Sequence, residues 1–312
     1  MKKTTYLAYM SAMLNALIVG LSFLFTKTAV EASSPIDTLA FRFTAAFLAV
    51  SILMALKVIK TNFDNFRHYL KVLPLTLFYP TFFFAFQAYG LQTISSSEAG
   101  ILSATIPILT LILASLFIKE KTNLRQKLSI IVSVAGVIYI FIMKGSSISF
   151  ADWKGIIFMM ISCLAIASYT VMARKLTKQF EPMEITYFML GVGFLVFNGA
   201  AITMHLANGT LSSFAKPMFD PNYMIAILFL GILASFVTSL LSNFAISKIS
   251  ASRMSVFGNM STVISIAAGA IFLNEEIRAY HIIGSILIIL GVLGTNFFGE
   301  KKEEGKPEKD AA

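Results

Sequence analysis

Charged side chains are scarce in this 312-residue chain. Asp, Glu, Lys and Arg together form 13% of the sequence, whereas 57% of the residues are hydrophobic and the mean hydropathy is +0.78. A soluble domain is usually about one quarter charged. The chain has too few charges to cover itself with polar surface, which excludes a soluble globular protein.

Cysteine and histidine are scarce as well. The single cysteine, Cys163, lies within an apolar run, which excludes a disulfide framework and a thiolate metal site. His68, His205 and His281 lie near predicted loops and far apart in the sequence, so they indicate neither a metal centre nor a proton relay. We therefore expect no metal and no cofactor.

What the sequence has instead is a series of apolar runs of about 20 residues, long enough for a helix to cross the hydrocarbon core of a bilayer. The runs carry no charge near their middles and lack the alternation of a membrane β-barrel, so they predict helices and an all-α membrane protein. The ten predicted transmembrane helices are residues 6–28, 35–56, 71–91, 98–118, 124–143, 153–173, 184–204, 222–245, 253–273 and 279–298.

The basic residues predict the orientation of these spans. With the N-terminus in the cytoplasm, 19 of the 25 Lys and Arg residues fall on the cytoplasmic side, and the other six, which include Lys27 and Arg42, fall on the outer side. This bias predicts cytoplasmic termini and a multi-pass protein of a prokaryotic cytoplasmic membrane. It also accounts for the net charge of +9, so the lipid bilayer and not nucleic acid is the expected partner.

The sequence contains a weak internal repeat. At an offset of 155 residues, the segment 116–137 aligns with 271–292, and at an offset of 147 Lys27 aligns with Arg174. We therefore divide the chain into a first repeat (1–143), a second repeat (144–298) and a charged, disordered cytoplasmic tail (299–312). Five spans are an odd number, so the second repeat enters the membrane inverted relative to the first.

Four segments resemble the EamA family of the drug/metabolite transporter superfamily. They are LSFLFTKTAVEASSPIDTLAFRF (21–43), LFIKEK (116–121) at the end of the Pro107 helix, IFLNEE (271–276) and GSILIILGVLG (284–294). The resemblance covers essentially residues 6–298. It implies a ten-helix fold with a central cavity lined by helices 1, 3, 4, 6, 8 and 9, and a small-molecule cargo.

Several polar and aromatic residues are candidates for the lining of this cavity. Tyr79, Phe83 and Gln87 share one face of helix 3, and the Gln87 amide is costly in lipid, so it should point inward. Ser and Thr often bond only their own helix, whereas Asn is harder to hide. The full set is Asn15, Ser22, Thr26, Tyr79, Phe83, Gln87, Ser103, Tyr169, Ser239, Asn243 and Asn259.

Two prolines interrupt predicted helices near their centres. Pro80 and Pro107 each remove a backbone hydrogen bond, so kinks are expected there, either as hinges or as fixed bends. Their counterparts in the second repeat, Ser235 and Thr262, are not proline. We therefore expect bending to be concentrated in the first half.

Charged residues near the helix ends form two candidate gates. Lys27 with Glu275 or Glu276 is predicted to close the outer side, and their repeat counterparts Arg174 and Glu120 the inner side. The alternative is that these side chains reach the headgroups independently.

Three glycines on helices 5 and 10 form notches that suit close helix packing. Gly136, Gly284 and Gly291 could serve packing within the chain or a homodimer through helices 5 and 10.

These features favour a secondary carrier of a small organic metabolite, such as an amino acid, vitamin, nucleobase or drug-like solute, that works by alternating access in the direction of export. Asp and Glu are absent from the central third of every predicted span, with Glu98 the nearest exception, which favours facilitated transport, exchange or a cargo gradient over ion coupling. A channel is the alternative. A membrane enzyme would need clustered His, Asp or Glu, which the sequence does not show.

The predicted orientation places loop 57–70 in the cytoplasm. In a Cys163→Ala background, an impermeant thiol reagent added to intact cells should leave Asn62→Cys unlabelled and label it only after the cells are opened. Labelling of Asn62→Cys from outside would contradict the orientation.

Overall fold

The computed structural model describes residues 2–57, 72–117, 123–144, 150–176, 180, 182–248 and 251–298, and this part of the chain is helical without β-strands. Each predicted span coincides with a helical stretch. The stretches are α1 (Lys2–Ala32), α2 (Pro35–Ala55), α3 (Leu73–Thr76, Leu77–Phe82 and Phe83–Leu91), α4 (Ser96–Ser103 and Ile106–Phe117), α5 (Leu124–Lys144), α6 (Phe150–Leu176), α7 (Pro182–Ala207), α8 (Pro221–Leu228, Phe229–Val237 and Thr238–Lys248), α9 (Ala251–Phe272) and α10 (Ala279–Phe297).

Six helical stretches in the described residues are long and apolar enough to cross a membrane, and α9 and α10 contain shorter apolar helices. Large hydrophobic side chains are exposed along the outside of the bundle, as on α5 at Leu128, Ile131 and Ile138. Such surface needs lipid and not water around it. The protein is therefore a multi-pass membrane protein. The six stretches are Tyr6–Ala32, Pro35–Ala55, Ser96–Phe117, Asp152–Met172, Met183–Ala207 and Pro221–Ser242.

Serine residues cap the starts of two helices. The Ser34 hydroxyl accepts a hydrogen bond from the backbone N–H of Asp37 at the start of α2. At the start of α4, the Ser95 hydroxyl accepts from the N–H of Glu98 and the Glu98 carboxylate accepts from the N–H of Ser95. These caps satisfy backbone donors that have no partner in the first turn. Glu98 is thus occupied by helix capping.

Three of the helical stretches are irregular. At Pro80, α3 has wide turns over Leu77–Phe82, and at Pro107, α4 breaks between its two segments, so the predicted interruptions are confirmed. However, α8 has the same wide turns over Phe229–Val237 without a proline. Wide turns alone are not a bend, and Phe229–Val237 contains no residue with non-helical backbone angles. The backbone kink at Tyr79 in α3 and the break in α4 both lie in the first half, so the bends in the described residues follow the expectation.

Side chains explain the wide turns of α8. The Ser235 hydroxyl donates to the carbonyl of Leu230, five residues back, at 2.9 Å. Arg42 of α2 also binds this turn, through the Ser235 hydroxyl and the carbonyl of Ala234. A side chain inserted into the helical ladder opens it much as a proline does.

The helices pack in a few close pairs. α1 lies against α8 and α9, α2 against α7 and α8, and α6 against α3 and α4, while α4 contacts α9 and α5 contacts α10. The largest apolar core joins α2, α3, α6 and α7 and includes Phe43, Phe84, Met159 and Phe197. This core lies beside the wide turn of α3, so aromatic rings fill the centre of the bundle.

Small residues let α5 and α10 approach closely. A Cβ atom at Gly136 would lie 2.8 Å from the carbonyl oxygen of Gly284, and one at Gly291 would lie 2.6 Å from that of Ser129. The predicted glycine faces are therefore occupied within the chain. The homodimer predicted through these glycine faces stays a prediction.

Adding a methyl group at the α5–α10 contact should destabilise the protein. We expect Gly136→Ala to lower the free energy of unfolding by about 1 to 3 kcal/mol, because the new Cβ would overlap backbone atoms of α10. The matched control is Gly199→Ala on α7, where no atom lies within 4 Å of the new Cβ. Thermal unfolding of the purified protein in detergent measures both, and equal midpoints would contradict the contact.

Candidate functional site

An aromatic cluster lies where α3 meets α6. The Tyr79 ring is 5.2 Å from Tyr169, 5.5 Å from Phe83 and 5.3 Å from Phe84, measured between ring centroids. The Tyr169 hydroxyl reaches the sulfur of Met189 on α7 at 3.6 Å. Three of the predicted cavity residues, Tyr79, Phe83 and Tyr169, are thus brought together.

Beside this cluster lies a buried cation that sequence reasoning missed. Arg42 is the eighth residue of α2, about 10 Å along the helix from its start, and only 2% of it is exposed. Its Nε donates to the Ser235 hydroxyl at 2.9 Å, and its Nη2 lies 3.5 Å from the carbonyl oxygen of Ala234. The guanidinium carbon is 4.1 Å from the centre of the Phe84 ring.

The count of basic residues treats Arg42 only as a topology signal on the outer side and does not foresee its burial inside the bundle. The available signal was its position, since Arg42 follows Pro35 by almost two helical turns and cannot lie at the helix end. Buried charges inside membrane spans commonly mark functional sites. Arg42 therefore joins the candidate site.

The predicted polar residues divide into two groups. Ser22, Thr26 and Ser239 donate to carbonyls of their own helices at 2.7 Å, as the alternative for Ser and Thr predicts. Gln87 is 4% exposed, and no hydrogen bond joins its amide to another described residue. Gln87 therefore stays a candidate for contact with a guest molecule.

The remaining candidates contribute less. The Ser103 hydroxyl is enclosed at the break in α4 and makes no hydrogen bond to a described group. Asn15 is half-buried on α1. The side chains of Asn243 and Asn259 lie outside the described residues, so their predicted roles stay predictions.

A buried pair of ionisable side chains, Asp37 and His205, joins α2 to α7. Nε2 of His205 is 3.0 Å from Oδ1 of Asp37, and its Nδ1 is 2.7 Å from the Thr210 hydroxyl. Asp37 and His205 are 6% and 7% exposed. His205 is therefore not isolated, although 168 residues separate it from Asp37 in the sequence. Only the fold could reveal this pair.

The predicted outer gate has other partners in this structure. Nζ of Lys27 is 3.3 Å from the carboxylate of Glu31, one turn along α1, and Glu276 pairs with Arg278 at 2.9 Å. Since Glu276 lies beside it in the exposed loop, it raises the pKa of Arg278. The predicted pairing of Lys27 with Glu275 or Glu276 is thus not formed between these described residues.

Glu275 instead caps the start of α4. Its carboxylate accepts hydrogen bonds from the backbone N–H groups of Ser96 at 2.7 Å and Ser97 at 3.0 Å, and from the Ser97 hydroxyl. Unpaired N–H groups and the helix dipole make a helix N-terminus a better partner for a carboxylate than an exposed lysine. The predicted inner pair of Arg174 and Glu120 stays a prediction, because Glu120 and the side chain of Arg174 lie outside the described residues.

Comparison with known protein families matches residues 6–142, and again residues 153–297, to the EamA-like transporter family. The chain belongs to this family. Its similarity to uncharacterized transporter YcxC of Bacillus subtilis (strain 168) is 43% identity over 304 residues, which is 97% of each chain. An uncharacterized transporter of Archaeoglobus fulgidus is 30% identical over 273 residues, covering 88% of this chain and 92% of that one.

A crystal structure of a protein with 13% identity covers 97% of this EamA-like chain and 99% of its own chain, with a TM-score of 0.60. This likeness concerns the fold alone. The family and the relatives are named as transporters. The chain is therefore a membrane transporter, and Arg42, Gln87 and the aromatic cluster are its candidate site.

The role of Glu275 as a cap can be measured directly. Glu275→Gln should lower the free energy of unfolding by about 1 to 3 kcal/mol, since an amide replaces a charged acceptor at the N–H groups of Ser96 and Ser97. Glu276→Gln is the matched control, because Glu276 is exposed and faces only Arg278. Equal unfolding midpoints for the two variants in detergent would show that Glu275 is not a cap.

Proposed function

We propose that this transporter is a secondary carrier that moves a small organic metabolite out of a prokaryotic cell by alternating access. Its ten helices would form two inverted five-helix repeats with both termini in the cytoplasm. The observation that carries the proposal is that the closest helix contacts are related in pairs by an exchange of the two halves.

The exchange replaces each helix of the first half by the helix five places later. It converts the α1–α9 contact into α6–α4, α2–α8 into α7–α3, and α3–α6 into α8–α1, and all six contacts are present. The contacts α2–α7, α4–α9 and α5–α10 are converted into themselves. Such a pattern is expected of an inverted repeat, whose axis passes between the halves.

The candidate site lies where this proposal puts the cargo. Inverted-repeat carriers bind cargo near the midplane between their repeats, often at interrupted helices. Arg42 of the first half contacts the wide turn of α8 in the second, and Met189, its counterpart at an offset of 147, packs with Tyr79 on the wide turn of α3. Both irregular turns thus belong to the boundary between the halves.

The aromatic cluster and Gln87 suit a small organic solute better than an inorganic ion. Rings such as Tyr79 and Phe83 offer flat apolar faces, and the amide of Gln87 offers both a donor and an acceptor. In this proposal the outer side is closed by Glu275 on Ser96 and Ser97, and Lys27 contributes only to the local charge.

The cargo and the direction of transport can be found together. Metabolite profiling should show a compound that is depleted from the medium of a deletion strain and enriched in that of an overexpressing strain. That compound should then show saturable uptake and counterflow in proteoliposomes. Uptake without saturation or counterflow would indicate a channel, and accumulation of the compound in the overexpressing cells would contradict export.

Gln87→Leu should impair transport and leave folding intact. The change removes a buried amide with no hydrogen bond to another described residue, and loss of one hydrogen bond to cargo would cost up to about tenfold in affinity. Gln92→Leu is the matched control, since Gln92 is exposed and only its backbone carbonyl is used, by Lys27. Counterflow of the identified compound should fall for Gln87→Leu alone, and loss of folded protein instead would show that Gln87 is structural.

A further inference from the structure

We infer that Arg42 binds a carboxylate group of the cargo, so that the transported solute is a small organic anion with an apolar or aromatic body. The inference rests on the proposed carrier function, because the cargo must reach the interior of the bundle. It concerns the chemical class of the cargo, which neither the family nor the relatives specify.

The first argument is the missing counter-charge. A buried cation in a membrane protein is costly, and it is usually paired with a carboxylate. The groups that contact Arg42 are a hydroxyl, a carbonyl and the face of an aromatic ring, all of them neutral. The positive charge inside the bundle is therefore uncompensated by any group described around it.

The carboxylates near the site are already in use. Asp37, five positions before Arg42 on the same helix, is bound to His205. Glu98 caps its own helix, and Glu275 caps the start of α4. An anion from outside the chain is the group that would complete the pairing.

The second argument is the number of unused donors. A guanidinium group has five N–H donors in a planar fork that matches the two oxygens of a carboxylate. Nε of Arg42 is used by Ser235, and one contact of Nη2 is long, at 3.5 Å. The contact with Ser235 fixes the plane of the guanidinium, and Nη1 has no hydrogen bond to a described residue.

The third argument is the surface around the cation. Phe84 lies against the guanidinium and also contacts Tyr79 and Phe83, so the charge borders an aromatic wall. The Gln87 amide lies one turn beyond Phe83 on the same helix. A carboxylate held by Arg42 would therefore place an apolar body against rings and a second polar group near an amide.

The competing explanation is that Arg42 is only a structural link between α2 and α8. These helices are close, since a Cβ atom at Gly231 would lie 2.7 Å from the carbonyl oxygen of Arg42. A link of this kind would stabilise the protein without responding to anions. The two explanations thus differ in ligand binding and not only in stability.

The test is thermal unfolding of the purified full-length protein in detergent at constant ionic strength. The probes are benzoate, phenylacetate and indole-3-acetate, each compared with its neutral amide. We expect at least one carboxylate to raise the midpoint temperature and to bind about tenfold or more tightly than its amide. Arg42→Gln should remove this difference.

Arg278→Gln is the matched control, because it makes the same change at an exposed arginine paired with Glu276. It should leave the preference for the carboxylate unchanged. Arg42→Lys keeps the charge without the fork and should retain the preference with several-fold weaker binding. If Arg42→Gln fails to fold, the carboxylate affinities of Arg42→Lys and of the unmodified protein are compared instead.

Two outcomes would overturn the inference. One is a protein that binds the carboxylates no better than their amides, and the other is an unchanged preference in Arg42→Gln. Counterflow in proteoliposomes separates this failure from failure of the carrier proposal. Binding that depends on Arg42 without counterflow would overturn the carrier alone, whereas counterflow of a neutral or cationic metabolite without any carboxylate preference would overturn the inference alone.

Discussion

A guanidinium group buried inside a membrane protein loses its hydrogen bonds to water and needs hydrogen bonds to protein groups instead. In this bundle, α2, α3 and α8 supply the groups that contact the buried guanidinium. Arg42 obtains a hydroxyl from Ser235, a distant carbonyl from Ala234 and the face of Phe84. The wide turns of α8 make the hydroxyl and the carbonyl available. Because these groups are neutral, they hold the guanidinium in place without cancelling its charge.

The carboxylates near the bundle interior likewise bind protein groups in place of water. Asp37, Glu98 and Glu275 each lie at or near a helix start, where side chains and backbone N–H groups can satisfy them. Glu275 joins the loop after α9 to the first turn of α4, and Asp37 joins α2 to the end of α7 through His205. Polar contacts at the helix ends thus connect helices that are far apart in the sequence, while rings and small residues fill the space between them.

The helix packing is more symmetrical than the polar chemistry. The closest unsymmetrical contacts, such as α1–α9 and α6–α4, have counterparts under exchange of the halves, whereas the polar contact of Arg42 does not: Met189 lies in the equivalent position of α7. In the proposed carrier, symmetrical packing would let the two halves rock around a site that binds cargo chiefly through one half. Glu275, which caps α4, lies close to Gly269 of α9, where a Cβ atom would have no space.

The sequence by itself determined the features that depend on local pattern. Apolar runs predict the helices, because lipid accepts only hydrogen-bonded backbone, and Pro80 and Pro107 predict their own breaks, because proline lacks an N–H group. Tyr79, Phe83 and Gln87 follow from their spacing on one helix face. The tertiary structure alone decided which partners the charged groups have. Lys27 lies with Glu31, Glu275 with Ser96, Asp37 with His205 and Arg42 with Ser235, because a charge binds the nearest group that can replace its water, and most of these groups lie far away in the sequence.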